Sequence, residues 1–179
     1  IHAHSLVHQD LKPENVLVWR DADGTLNAWL TDLGEVQAQD ELALAGRVRG
    51  SPAYMAPEQR GKMVHEMGPA TDLYPVGLML HEALAGQVAD HSPYPTAETC
   101  FGSVALLEVV RTLLHDDPRQ RYDFAADARR ALKRAVARLP ESALQTELQC
   151  VLRSDQEAPP ALVKQAWPRE NLAWNRVAP

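Results

Sequence analysis

Residues His8-Gln9-Asp10-Leu11-Lys12-Pro13-Glu14-Asn15 decide how this 179-residue chain is to be read. Five positions separate Asp10 from Asn15, so one loop can present a carboxylate and a hard amide oxygen to a single pocket. Lys12 stands between them. Outward from this loop, Ile1 to Val7 reads as the end of a helix entering the loop. Asn15 to Trp19 is a short apolar run with strand character. Asp21-Ala22-Asp23-Gly24 is a turn signal, and Leu26 to Thr31 returns as a second strand, so the pair predicts a hairpin. Asp32-Leu33-Gly34 follows it directly.

Further along, Gln37 to Gly50 has few large apolar residues and reads as a mobile loop. Asp72 to Leu84 is apolar almost all round, through Leu73, Val76, Leu78, Met79, Leu80, Ala83 and Leu84, and predicts a buried central helix with Gly86 as its C-cap. Gln87 to Phe101 carries Pro93 and Pro95 and is irregular. Val104 to Leu114 predicts a helix that ends before Pro118. Asp123 is a candidate cap for the next helix, whose apolar stripe is Ala128, Leu132, Ala135, Val136 and Leu139. Composition shifts after Pro140. Leu144, Leu148, Val151 and Leu152 suggest one more amphipathic helix, and Pro159, Pro160 and Pro168 break up a tail with Trp167 and Trp174. The domain division read from this pattern is 1–139 and 140–179.

The octapeptide resembles the catalytic loop of the protein kinases, in the Ser/Thr form H-x-D-L-K-P-E-N. A match of this length arises by chance about once in 10⁹ sites. Asp32-Leu33-Gly34 resembles the D-F-G motif, with Leu keeping an apolar plug in place of Phe. Gly50-Ser51-Pro52-Ala53-Tyr54-Met55-Ala56-Pro57-Glu58 resembles the end of the activation segment with its A-P-E motif. Asp117-Pro118-Arg119-Gln120-Arg121 supplies the later Arg that pairs with Glu58 in that family. Asp72, in Thr71-Asp72-Leu73-Tyr74, matches the Asp that starts the central helix and braces the loop. These motifs occur in the family's order, and the resemblance covers about residues 1–139.

The resemblance implies a mainly α fold with a small β-hairpin element, like the kinase large lobe without the N-terminal lobe. It implies transfer of the ATP γ-phosphoryl group to protein Ser or Thr. Asp10, Lys12 and Ser51 are then catalytic: Asp10 orients and deprotonates the hydroxyl, Lys12 faces the γ-phosphate, and the Ser51 hydroxyl braces both. Asn15 and Asp32 hold Mg²⁺, and Lys12, Asn15 and Asp32 together hold ATP. Glu58, Asp72 and Arg121 are structural. His8 is a packed structural histidine.

Three departures matter. Gln9 stands where regulated kinases carry an Arg that grips an activation-loop phosphate, so activity is expected not to depend on phosphorylation between Gly34 and Gly50. The family helix expected within Gln87 to Gly102 is short or missing. No Gly-rich loop, V-A-I-K-type lysine or partner Glu occurs in the chain. The sequence starts at Ile1 and reads as a fragment or a truncated gene model, inactive alone, whose missing N-lobe comes from the same parent chain or another one. The alternative reading is a pseudokinase-type binding or regulatory module.

Composition is ordinary for a globular protein, with 45% apolar and 23% charged residues. The net charge of −6 argues against nucleic acid as a partner. No apolar run reaches the length of a membrane span, and no signal peptide is found. Cys100 and Cys150 lack CxxC spacing and fit reduced thiols in the cytoplasm. His2, His4, His65, His81, His91 and His115 lack metal-ligand spacing and read as solvated or satisfied. Arg47 and Arg49 read as part of a solvated loop, and Trp167, Leu172 and Trp174 as an apolar tail that docks on the lobe.

Overall fold

The computed structural model of the protein describes residues 1–23, 26–38, 42, 50–61, 66–85, 95–96, 99–100 and 102–139. All of them lie in one compact unit, Ile1–Leu139. Gly24, Arg47, Arg49, Gly86, most of Gln87 to Phe101 and the whole of 140–179 lie outside the described residues, and with them the expectations placed there.

A 3-10 turn at His2–His4 leads into strand β1, Leu6–Val7. The loop of interest follows, closed by a 3-10 turn at Pro13–Asn15. Strands β2 (Val16–Arg20) and β3 (Leu26–Leu30) form the expected hairpin, antiparallel with Val16 opposite Leu30 and Leu17 opposite Trp29. It is not a core element: Val18 is 58% and Trp29 62% exposed. Trp19 meets Trp29 edge-on, with ring centroids 5.5 Å apart.

Strand β4, Gln37–Ala38, lies where a loop is expected and pairs antiparallel with β1. Ile1 to Val7 is accordingly a 3-10 turn and a strand, not the end of an α-helix. Two-residue strands have no side-chain period to read, so only the tertiary pairing defines them.

Helix α1 is the short Pro57–Arg60, and α2 is Pro69–Ala85, beginning three residues before the expected Asp72. Thr71, Asp72, Leu73, Tyr74, Pro75, Gly77 and Leu78 of α2 are all buried. Pro75 sits inside α2 and offers no N–H to the Thr71 carbonyl one turn back. Helix α3, Val104–Leu113, is capped by the Ser103 hydroxyl, which accepts from Leu106 N at 3.2 Å. Leu106, Leu107, Val109, Val110 and Leu113 form its buried stripe.

Helix α4, Ala125–Val136, starts from Phe124, which makes no side-chain cap, so Asp123 is not the cap. Its stripe is Ala128 and Ala135 with Leu132 and Leu139 packed alongside, whereas Val136 points outward at 38% exposure. Helices α2, α3 and α4 pack on one another around Leu73, Leu106, Val110 and Leu113, and α2 also lies against β1. That last contact brings the central helix under the loop.

Candidate functional site

The loop is held from below by α2. Asp72 Oδ1 accepts from Gln9 N at 2.9 Å, and Oδ2 accepts from His8 N at 2.8 Å and from His2 Nε2 at 2.8 Å. A buried carboxylate needs such donors, and two backbone N–H groups and a ring nitrogen supply them. His8 is fully buried, and its Nε2 lies 3.3 Å from the Thr31 carbonyl.

Above this brace, Lys12 Nζ donates to Asp10 Oδ2 at 2.7 Å and to Ser51 Oγ at 2.8 Å. Ser51 N donates to Asp10 Oδ1 at 2.6 Å. The Ser51 hydroxyl thus accepts from Lys12, while the backbone of the same residue holds Asp10. Partial burial pushes the Asp10 pKa up, but the hydrogen bonds from Lys12 and Ser51 outweigh it, and the carboxyl titrates below its ordinary range.

Asn15 is buried, and its Nδ2 donates to the Asp10 carbonyl at 2.8 Å. The amide oxygen is therefore the end not committed to that bond. Thr31 N donates to the Asn15 carbonyl at 2.9 Å, which ties the loop to the residue just before Asp32. Asp32 is exposed, sits in the left-handed region at φ 57°, and accepts weakly from Gly34 N at 3.4 Å. Asp tolerates that backbone conformation better than most residues. Leu33 is 59% exposed, so it plugs nothing among the described residues, contrary to the role expected from the motif.

Among the described residues no three His, Cys, Asp or Glu side chains form a metal cage. Mg²⁺ needs none, since it takes one or two protein oxygens and fills its octahedron with phosphate oxygens and water. The Asn15 amide oxygen and the Asp32 carboxylate are oxygens of that kind.

Glu58 on α1 and Arg121 meet in a two-pronged ion pair, Nη1 to Oε1 and Nη2 to Oε2 both at 2.8 Å, with neither side chain exposed. Arg121 also donates to the carbonyls of His115, Ala70 and Asp116, and its guanidinium lies 5.0 Å from the Tyr74 ring centroid. The pair therefore meets the condition for a buried charge pair, with the remaining donors satisfied.

Three residues here carry roles that the sequence did not disclose. His2 looked like any histidine without metal spacing, and its bond to Asp72 depends on a residue seventy positions on. Gln9 looked like a lost charge. It is 4% exposed, has φ 69°, and its Nε2 donates to the Glu35 carbonyl at 2.7 Å and to Gln37 Oε1 at 3.2 Å. For Gln59 the sequence offers only half of a capping signal, a Gln at the third position of a helix.

The chain matches the family model described as protein kinase domain over residues 1–136. It is 30% identical over 161 residues to the serine/threonine-protein kinase pkn2 of Myxococcus xanthus, covering 78% of this chain and 19% of that protein. It is 33% identical over 121 residues to the serine/threonine-protein kinase PkaA of Streptomyces coelicolor, covering 66% of this chain and 20% of that protein. Over 88 residues, 48% of this chain and 19% of that protein, it is 38% identical to the serine/threonine-protein kinase PknA of Mycobacterium tuberculosis. The chain thus belongs to the protein kinase domain family. It spans about a fifth of the length of these curated relatives.

Proposed function

We propose that this chain is the large, C-terminal lobe of a Ser/Thr protein kinase and carries the groups that receive the phosphoacceptor hydroxyl. The observation that supports this most is the triangle of Asp10, Lys12 and Ser51, closed at 2.7, 2.8 and 2.6 Å. Asp10 is ionised at neutral pH and accepts the hydrogen bond of the incoming Ser or Thr hydroxyl. That bond orients the oxygen for in-line attack on the γ-phosphoryl group of ATP. A carboxylate of lowered pKa is a weak base, so Asp10 orients first and takes the proton late, as the phosphoryl group leaves ADP.

Lys12 is held between Asp10 and Ser51 and offers its charge to the transferring oxygens. Asn15 and Asp32 would hold Mg²⁺, which supplies neutralisation of the phosphate charge when bound. The remainder of the ATP pocket would come from an N-terminal lobe, in the same parent chain or another one, since the sequence has no Gly-rich loop or V-A-I-K-type lysine. On this reading the chain by itself does not turn over. A cytoplasmic setting, rich in ATP and reducing toward the buried free thiol of Cys100, goes with it. Among the described residues no helix is long and apolar enough to cross a membrane.

The test is a phosphotransfer assay with ATP and Mg²⁺ on the parent protein with its N-terminal lobe, beside its Asp10→Asn variant. Phosphorylation of Ser or Thr that falls by about 10²–10⁴-fold in the variant supports the reading. Folded parent protein that transfers nothing favours the alternative, a pseudokinase-type binding or regulatory module.

A further inference from the structure

We infer that Gln59 is a positioning residue for Asp10, the anchor of an uncharged brace that joins α1, the catalytic-type loop and the segment after Asp32. The inference rests on the functional reading above. Gln59 is 2% exposed, and its amide is engaged at both ends. Its Oε1 accepts from Ala56 N at 2.9 Å, and its Nε2 donates to the Gln9 carbonyl at 2.9 Å. The chemistry of the two partners fixes the amide's orientation, because a backbone N–H needs the oxygen and a carbonyl needs the nitrogen.

The Gln9 carbonyl belongs to the peptide unit that carries Asp10 N. Gripping it therefore sets the plane from which the Asp10 side chain leaves. That plane is under constraint, since Gln9 is held at φ 69°, a region that costs a non-glycine residue energy. Gly50 closes the same spot from the other side: a Cβ there would lie 2.5 Å from the Gln9 carbonyl oxygen, 3.5 Å from Gln59 Nε2 and 3.6 Å from Asp10 Oδ1. The Gln9 side chain then carries the brace onward to Glu35 and Gln37. Three segments distant in sequence are thus linked through two glutamines by hydrogen bonds between amide and carbonyl groups.

The experiment compares the 179-residue chain with its Gln59→Met variant by hydrogen exchange resolved along the sequence. Loss of the Nε2 bond leaves the Gln9 carbonyl without that donor, and exchange at Gln9 and Asp10 should rise roughly tenfold while the α2–α3–α4 core keeps its protection. In the parent kinase the same variant should lower kcat by about tenfold to a hundredfold with KM for ATP unchanged. Should Gln59→Met fail to fold, Gln59→Asn retains a polar amide too short to span Ala56 and Gln9, and is read the same way.

Faster exchange confined to 56–61, or an unchanged kcat with an active parent, overturns the inference and leaves the kinase reading intact. A loosened Asp10 in a parent that transfers no phosphate sinks the kinase reading and leaves the brace.

Discussion

The guanidinium of Arg121 and the carboxylate of Glu58 face each other in register, two bonds of 2.8 Å across 63 positions of sequence, with both side chains withdrawn from water. Removing one partner strands the other. We expect Glu58→Gln to destabilise the chain by about 3–5 kcal/mol in denaturant unfolding. Arg121→Met should cost at least as much, because the carbonyls of His115, Ala70 and Asp116 lose their donor as well. Equal and small effects would mean that the pair is not what joins α1 to the helical core.

Asp72 and His2 allow a graded test. Asp72→Asn retains one oxygen for three donors, and its NH₂ group meets a backbone N–H whichever way the amide turns. The expected loss is about 2–3 kcal/mol. His2→Ala removes one donor and leaves both backbone bonds, so about 1 kcal/mol is expected. The order of the two losses, measured by chemical denaturation, is the diagnostic.

Gly77 on α2 inverts the usual helix rule. Ala for Gly inside a helix gains about 1 kcal/mol from propensity alone. Here the new Cβ would lie 2.8 Å from Leu113 Cβ and 3.0 Å from two carbons of Leu114. Overpacking of that kind costs about 1–3 kcal/mol. Gly77→Ala should therefore lower the melting temperature, and a rise would show that α3 shifts away freely.

The acid behaviour of Asp10 follows from its neighbours. A carboxyl held below its ordinary range contributes stability that is fully present above the unfolded pKa and is lost as pH falls through the folded one. In Lys12→Met the burial penalty stays and a lowering contact goes, so the Asp10 pKa should rise. A carboxyl-carbon NMR titration should place the variant's midpoint above the wild-type midpoint. Coincident midpoints would mean that Ser51 alone sets the value.

The parts legible in the sequence are those in which neighbouring residues carry the message. The hairpin could be read because turn residues separate two apolar runs, and α3 because Leu106, Leu107, Val109, Val110 and Leu113 repeat with a helical period. The kinase family could be read because rare residue types recur in a fixed order. What stayed hidden depends on distant partners. The β1–β4 pair has two residues a side, and the roles of His2, Gln9 and Gln59 exist only once Asp72, Glu35 and the Gln9 carbonyl are brought beside them. Leu33 shows the opposite failure, a motif position whose expected burial is not met among the described residues.

Because Asp72 holds His8 from 64 positions away, and Arg121 holds Glu58 from 63, each of these segments is synthesised well before the side chain that secures it. Asp10 leaves the exit tunnel before the side chains that steady its loop have been synthesised. At roughly 5–20 residues per second the wait is several seconds. For that interval the loop is a peptide without a site, and no truncated product ending before Asp72 can brace it.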